Sequence, residues 1–291
     1  MPQTLSTDPV DLPAPDPQNR SPEQNRAQSH DGGGKSLQAA GPASLPLDIN
    51  NAAILLDVDG TLLDIAPTPH EVHVSEDLRR MLARIAHRLG GALAFISGRP
   101  LADIDLIFHP LKLAAVGGHG AEIRLRPEGT PYRMQTRPLD PELKRRFAEI
   151  AQIGPGILVE DKDYSLAIHY RLAPQFGGAV IKSVAAVCDA YGCDGLSILP
   201  GKSVIEIKPR GFDKGSGLQE LMSSPPFAGR KPVFVGDDVT DEAAFAMLPR
   251  YSGIGISVGG IVPGASFNFD GPKDVRLWLQ KLSRDADAEA R

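Results

Sequence analysis

From residue 52 the chain alternates short, continuous apolar runs with segments whose apolar positions recur at helical spacing. AAILL, ending just before Asp57, is too short for a helix and has no polar face, which predicts a strand buried on both sides of a parallel sheet. SEDLRRMLARIAHRL places Leu78, Met81, Leu82, Ile85 and Leu89 on one stripe, with Ser75 as N-cap and Gly90 as the stop. ALAFIS is a second buried strand, a short helix from about Pro100 to Ile107 follows, and AAVGG is a third strand. Strand and helix in this alternation predict an α/β fold with a doubly wound parallel sheet.

The rhythm changes after Gly120. EIRLRPEGTPYRMQTR reads as a hairpin, PELKRRFAEIAQI as an amphipathic helix, and ILVEDKDYSLAIHYR as a strand pair turning at Lys162 and Asp163. PQFGGAVIKSVAAVCDAYG is a second helix, followed by strands LSILP and SVIEIKP about Gly201. Helix KGSGLQELMSS, buried strand PVFVG and helix DEAAFAMLP then restore the first pattern. The expected organisation is therefore a core of residues 47–120 and 208–285, an α+β module of residues 121–207 inserted between its halves, and a flexible tail at 286–291. Residues 1–46, rich in Pro, Gln, Asn, Ser and Gly, are expected to form a disordered extension.

Composition narrows the partners. Hydrophobic residues make up 42% of the chain, enough for a core, and a net charge of -5 offers no footprint for nucleic acid or an anionic membrane. No apolar run approaches the roughly 18 residues that span a bilayer, and the N-terminus is neither basic nor apolar, so a cytoplasmic protein is expected. Cys188 and Cys193 cannot close a zinc site by themselves. They are read as one helix-face core thiol and one turn thiol, since a disulfide would need a kink between Ala190 and Gly192.

The chemistry concentrates where the buried strands end, which is where ligands bind in open α/β sheets. LLDVDGTLLD offers two carboxylates at i and i+2, Asp57 and Asp59, before a turn at Gly60 and Thr61. One can attack phosphorus while the other gives and takes the proton; a single such Asp would be read as a turn cap. FISGRP supplies the hydroxyl of Ser97 and the amides of a turn at Gly98 for a phosphate oxygen, with Arg99 read as a phosphate clamp or a surface charge and a structural or rim role favoured. In KPRGFDKGSGL, Lys214 opens a helix between Gly211 and Gly215, within reach of an anion near the strand ends. VFVGDDVTDEAAF adds Asp237 as a hard oxygen ligand for Mg²⁺, with Asp238 beside it and Asp241 and Glu242 read as partners of the helix dipole. His119 in GGHG can contact substrate or lie beneath the site, with a structural loop role favoured, and His169 and Tyr170 suit cross-strand packing as well as function.

These four elements, in this order, resemble the haloacid dehalogenase superfamily of phosphotransferases, and the inserted module resembles its large α+β cap class. GGHGAEIR, VEDKDYSLAIHYR, GKSVIEIKPRGFDKGSGL and VFVGDDVTDEAAF resemble trehalose-6-phosphate phosphatases over about residues 50–255. The resemblance implies a Rossmann-like core and Mg²⁺-dependent hydrolysis of trehalose 6-phosphate, in trehalose biosynthesis, through an aspartyl phosphate. Asp57 would be the nucleophile and Asp59 the acid and base. Mg²⁺ would sit on the Asp57 carboxylate, the Asp59 backbone carbonyl and Asp237. Ser97 and Lys214 would neutralise the phosphoryl group, Thr61 and Gly98 would line the substrate side, and Asp238 would orient Lys214, with Asp241 and His119 in support. Glu160, Lys162, Lys202 and Glu206 would read the sugar. Rival readings are a phosphatase for sucrose 6-phosphate or a mannosylglycerate phosphate, a phosphomutase, and a non-catalytic sugar-phosphate-binding partner of a trehalose-phosphate synthase.

Overall fold

The structure is a computed structural model that describes residues 38–39, 48–68, 71–134, 139–162 and 164–289. The extension expected over residues 1–46 lies outside the described residues except at Gln38–Ala39, which form a two-residue strand, β1. Next come β2 (Ala52–Leu56), α1 (Glu76–Arg88), β3 (Leu93–Ile96), α2 (Leu101–Phe108) and β4 (Ala114–Gly117). Every residue of β2, β3 and β4 is buried, as continuous apolar runs require. α1 starts where the side chain of Ser75 accepts from the Leu78 amide, and it buries Leu78, Met81, Leu82 and Ile85.

The chain continues through β5 (Glu122–Arg124), β6 (Tyr132–Arg133), α3 (Pro141–Ala148), β7 (Leu158–Asp161), β8 (Leu166–His169), α4 (Gly177–Tyr191), β9 (Leu196–Gly201) and β10 (Val204–Pro209). It closes with α5 (Lys214–Met222), β11 (Lys231–Gly236), α6 (Glu242–Met247), β12 (Ile254–Val258), β13 (Phe267–Phe269) and α7 (Pro272–Glu289).

Two sheets result. The larger has the order β1-β13-β12-β11-β2-β3-β4-β5-β6 and is parallel from β1 to β4. From β2 the chain winds outward to β3 and β4, and from β11 it winds the other way to β12 and β13. The boundary between β2 and β11 is thus the topological switch point, where a crevice opens at the strand ends. The smaller sheet, order β7-β8-β10-β9, is antiparallel throughout and packs against α3 and α4 over its own core, which includes Phe147, Ile168, Val180 and Ile207.

Three expectations differ from this. The hairpin EIRLRPEGTPYRMQTR, assigned by its position to the inserted module, instead extends the large sheet: β5 runs antiparallel to β4, and Ile123 is fully buried in the large core. Period-two patterning shows that a hairpin forms but not which sheet edge it joins. The tail expected at 286–291 is helical through Glu289, because α7 packs on α1, with Arg84 donating to Ser283 Oγ and Arg88 to the Leu282 carbonyl. Cys188 and Cys193 form a disulfide, with their Cα atoms 5.0 Å apart. Gly192, at φ +77°, ends α4 and turns the chain back so that the fifth residue along faces the first.

Candidate active site

Asp57 and Asp237 lie side by side because β2 and β11 are neighbours in register and each carboxylate follows the last buried residue of its strand. The Asp57 amide donates to the Val235 carbonyl at 2.9 Å, and Asp57 itself is 4% exposed. Between them the turn after β2 comes so close that a Cβ on Gly60, at φ +83°, would lie 2.2 Å from Asp237 Oδ2. No residue but glycine fits there. Thr61, fully buried, donates from Oγ1 to Asp237 Oδ1 at 3.0 Å.

Lys214 opens α5, whose N-terminus is capped by Asp213. The lysine is 3% exposed and its ammonium is shared between two carboxylates, Asp57 Oδ1 at 2.7 Å and Asp241 Oδ1 at 2.6 Å. Asp241, wholly buried, uses its other oxygen to accept the amides of Asp237 at 2.8 Å and Asp238 at 3.0 Å. Asp241 thus holds both Lys214 and the loop that carries Asp237. This corrects two assignments. The residue that orients Lys214 is Asp241, four positions after Asp237, and the turn at Val239–Asp241 swings it back under the strand end. Asp238, half-buried, caps its own turn by accepting from the Val239 amide.

Burial pushes the Asp57 carboxyl well above the usual aspartate range, with Asp241 and Asp237 adding to the rise and Lys214 opposing it. Burial likewise raises Asp237. For Lys214 burial acts to lower the ammonium, but Asp241 and Asp57 outweigh it and the group is held above its ordinary value. Asp57, Asp237 and Asp241 each offer an oxygen within 4.8 Å of the others. Buried hard-oxygen donors that resist ionisation side by side suit a small divalent cation such as Mg²⁺. Asp57 and Asp237 face the crevice, whereas Asp241 is turned to Lys214 and the loop amides, so Asp57 and Asp237 are the carboxylates that could hold it.

Beyond β3, Ser97 Oγ accepts from the Arg99 amide at 3.1 Å. Arg99 is not a rim residue: it is 9% exposed, and its guanidinium grips Asp59 in a two-pronged pair, Nε to Oδ2 at 2.6 Å and Nη2 to Oδ1 at 2.8 Å.

The smaller sheet presents its charged residues to the same crevice. Glu206 is 6% exposed and accepts from His119 Nε2 at 2.8 Å, Ser165 Oγ at 2.8 Å and Lys162 Nζ at 3.3 Å. Lys162 also donates to the Gly98 carbonyl at 3.3 Å, tying the β7–β8 turn to the loop after β3. Burial alone would raise Glu206, but His119 and Lys162 outweigh it and hold the carboxyl well below the usual range. His119 itself is lowered by burial, against the pull of Glu206. Its backbone is left-handed, at φ 53°, and its Nδ1 has no hydrogen-bond partner among the described residues. Glu160 pairs with His169 at 2.9 Å, whereas Lys202 reaches across to Asp237 Oδ2 at 2.6 Å.

A cavity of about 160 Å³, open to solvent, lies between the two sheets and is lined by Asp57, Asp59, Ser97, Lys214 and Asp237 on one side. Glu160, Lys162, His169, Lys202 and Glu206 line the other. A buried carboxylate held by a fixed ammonium beside a divalent-cation site can transfer a phosphoryl group, since that chemistry needs mostly positioning and charge neutralisation. Two parts lie outside the sequence reading: the grip of Arg99 on Asp59, and the hold on Lys214 of Asp241, expected only as a supporting residue and dipole partner. The spacing Asp237-x-x-x-Asp241 across a strand-to-helix turn is the signal that could have found the second.

Residues 55–265 match the family described as trehalose-phosphatase. A probable trehalose-phosphate phosphatase of Sinorhizobium fredii is 38% identical over 223 residues, covering 77% of this chain and 83% of that protein. The trehalose-6-phosphate phosphatase of Escherichia coli is 34% identical over 231 residues, covering 79% and 86%. Among solved structures, the C-terminal domain of the Candida albicans trehalose-6-phosphate phosphatase superposes with a TM-score of 0.73 at 21% identity, covering 81% of this chain and 93% of that one. The fold is shared with hydrolases of the haloacid dehalogenase type. With its buried Asp57–Lys214–Asp241 arrangement at the switch point, this chain belongs to the trehalose-phosphatase family.

Proposed function

We propose that this protein hydrolyses trehalose 6-phosphate to trehalose and inorganic phosphate, with a phosphoryl group carried transiently on Asp57. The observation that carries the reading is the Lys214 ammonium held 2.7 Å from Asp57 Oδ1 inside a cavity whose far wall bears Glu160, Lys162 and Glu206. The names of the relatives support the substrate.

Asp57 attacks phosphorus in line with the departing sugar oxygen. Lys214, fixed by Asp241, neutralises charge on the phosphoryl oxygens, and the Ser97 hydroxyl and the Gly98 turn steady another. A sugar alkoxide leaves poorly, so a proton must reach its oxygen. Asp59 delivers it once its two-pronged pair with Arg99 has opened to free a carboxyl oxygen, and then takes one from the water that cleaves the aspartyl phosphate. Mg²⁺, held by the Asp57 and Asp237 carboxylates and the Asp59 backbone carbonyl, supplies further charge neutralisation when bound.

The smaller sheet acts as a cap that excludes water and reads the sugar. Carboxylates accept paired hydrogen bonds from sugar hydroxyls, and Lys162 donates to an oxygen. Glu206, committed to three protein partners, acts as the hub that positions Lys162 and His119. Binding a sugar phosphate without turnover would not need a nucleophile and a proton donor together, so the geometry favours the enzyme over the sensor.

The test is phosphate release from trehalose 6-phosphate, sucrose 6-phosphate, a mannosylglycerate phosphate and glucose 6-phosphate, each in Mg²⁺ and in EDTA. Preferred, Mg²⁺-dependent release from trehalose 6-phosphate is expected. Faster release from another sugar phosphate would reassign the substrate, and full activity in EDTA would remove the metal from the reaction.

A further inference from the structure

The turn between β9 and β10 docks on the metal loop of the core, and it does so with a cation. Lys202 Nζ lies 2.6 Å from Asp237 Oδ2, and its side chain is 51% exposed while that of Asp237 is 2% exposed. The other Asp237 oxygen is occupied by the Thr61 hydroxyl. Two further contacts fix the same turn. Arg171 donates to the Lys202 carbonyl at 2.9 Å and to the core carbonyl of Ala66 at 2.5 Å. Gly201 sits so near Asp238 that an added Cβ would lie 3.0 Å from Asp238 Oδ2. Ser203, at φ 64°, keeps the turn tight enough for Lys202 to point into the crevice.

From this geometry we infer that Lys202 is an internal competitor of the divalent cation: its ammonium neutralises Asp237 when the metal is absent and is displaced when the metal binds. The inference rests on the reading of Asp57 and Asp237 as metal ligands. Asp237 has one oxygen left after Thr61, and that oxygen is the one Lys202 holds. An ammonium and a divalent cation on the same carboxylate oxygen repel each other, so occupancy by one weakens the other. Linkage makes the effect reciprocal: whatever factor Lys202 takes from metal affinity, the metal takes from the grip of the β9–β10 turn on the core. Once released, Lys202 is left in the cavity that its neighbours Leu199, Gly201 and Val204 also line, where an ammonium can donate to an oxygen of the substrate. Metal loading thus frees the one lysine of that turn for the second ligand.

The experiment uses the full chain without sugar phosphate. Isothermal titration with MgCl2 compares wild type, Lys202→Met, which keeps length but removes charge, and Lys202→Arg, which keeps charge. Lys202→Met should bind Mg²⁺ at least about fivefold more tightly than wild type, the lower end of ordinary coupling factors. Lys202→Arg should stay near wild type. Hydrogen exchange at the amides of residues 201–204 supplies the reciprocal readout: Mg²⁺ should speed it in wild type and leave it unchanged in Lys202→Met. Equal or weaker Mg²⁺ affinity in Lys202→Met, or slower exchange on adding Mg²⁺ to wild type, overturns the competition. Absence of Mg²⁺ binding in all three proteins overturns the metal reading as well, and the substrate reading, which neither measurement touches, is judged separately by phosphate release.

Discussion

In metal-free protein, Asp57→Asn removes one of three buried carboxylates whose oxygens lie within 4.8 Å of one another. At an effective dielectric of about 20, each like-charge pair at that distance costs about 3.5 kcal/mol, while an ion pair at the Lys214 distance returns about 6 kcal/mol. Two repulsions and one attraction nearly cancel, which leaves the cost of taking the carboxylate out of water. Protonation limits that cost. Each pKa unit is worth about 1.4 kcal/mol and only about three units separate an ordinary aspartate from pH 7, so the ceiling is about 4 kcal/mol. The amide keeps the shape and still accepts from Lys214. Asp57→Asn should therefore be more stable than wild type by about 1–3 kcal/mol at pH 7 in EDTA, by urea denaturation, while losing turnover. The folded protein holds the Asp57 proton more tightly than the unfolded chain, so this carboxyl's stabilising share is present below about pH 4 and lost as pH rises through its folded value. The advantage of asparagine should accordingly grow from acid to neutral pH and shrink in Mg²⁺. A variant no more stable than wild type at pH 7 in EDTA would refute the reasoning.

Other substitutions separate the two walls of the cavity. Glu160→Ala and Lys162→Ala should lose trehalose 6-phosphate hydrolysis by about 2–4 kcal/mol of transition-state binding yet cleave p-nitrophenyl phosphate at near the wild-type rate, and equal losses on both substrates would place them in the core machinery. Glu206→Ala, which strands Lys162 and His119, should also cost about 3–5 kcal/mol of stability in urea melts, and an unchanged melt would mean the three-way pairing contributes nothing. Because Glu206 is held below the usual range, its contribution is present above its ordinary pKa of about 4.3 and lost as pH falls below it. Glu206→Gln should flatten that acid limb. Asp241→Asn should lower kcat on both substrates by about a hundredfold or more, since it loosens Lys214 and the Asp237 loop together, and a wild-type kcat would show that Lys214 needs no second carboxylate.

What could be read before the structure, and what could not, divides along a physical line. Asp57, Ser97, Lys214 and Asp237 stand next to short buried strands or a glycine-flanked helix start, and these are local signals, so chain order alone brings them to one end of the sheet. Contacts between elements carry no such signal. Arg99 and Asp59 are 40 positions apart, and Lys202 and Asp237 are 35, so their pairing depends on how separate loops meet across the crevice. The hairpin of β5 and β6 was visible as a hairpin, but its sheet was decided by Ile123 entering the large core. The disulfide hinged on one backbone angle at Gly192. Asp241 lies between these cases, since its spacing from Asp237 is local but its burial is not.

The central claim is that Asp57 carries the phosphoryl group. Wild-type enzyme turning over trehalose 6-phosphate in Mg²⁺, quenched in acid within the first turnover and reduced with borohydride, should yield a peptide in which residue 57 has become homoserine, the product of reducing an aspartyl phosphate. Asp57→Asn should yield none. Phosphate released at the full rate with residue 57 unmodified, or with the modification on another carboxylate, would contradict the account.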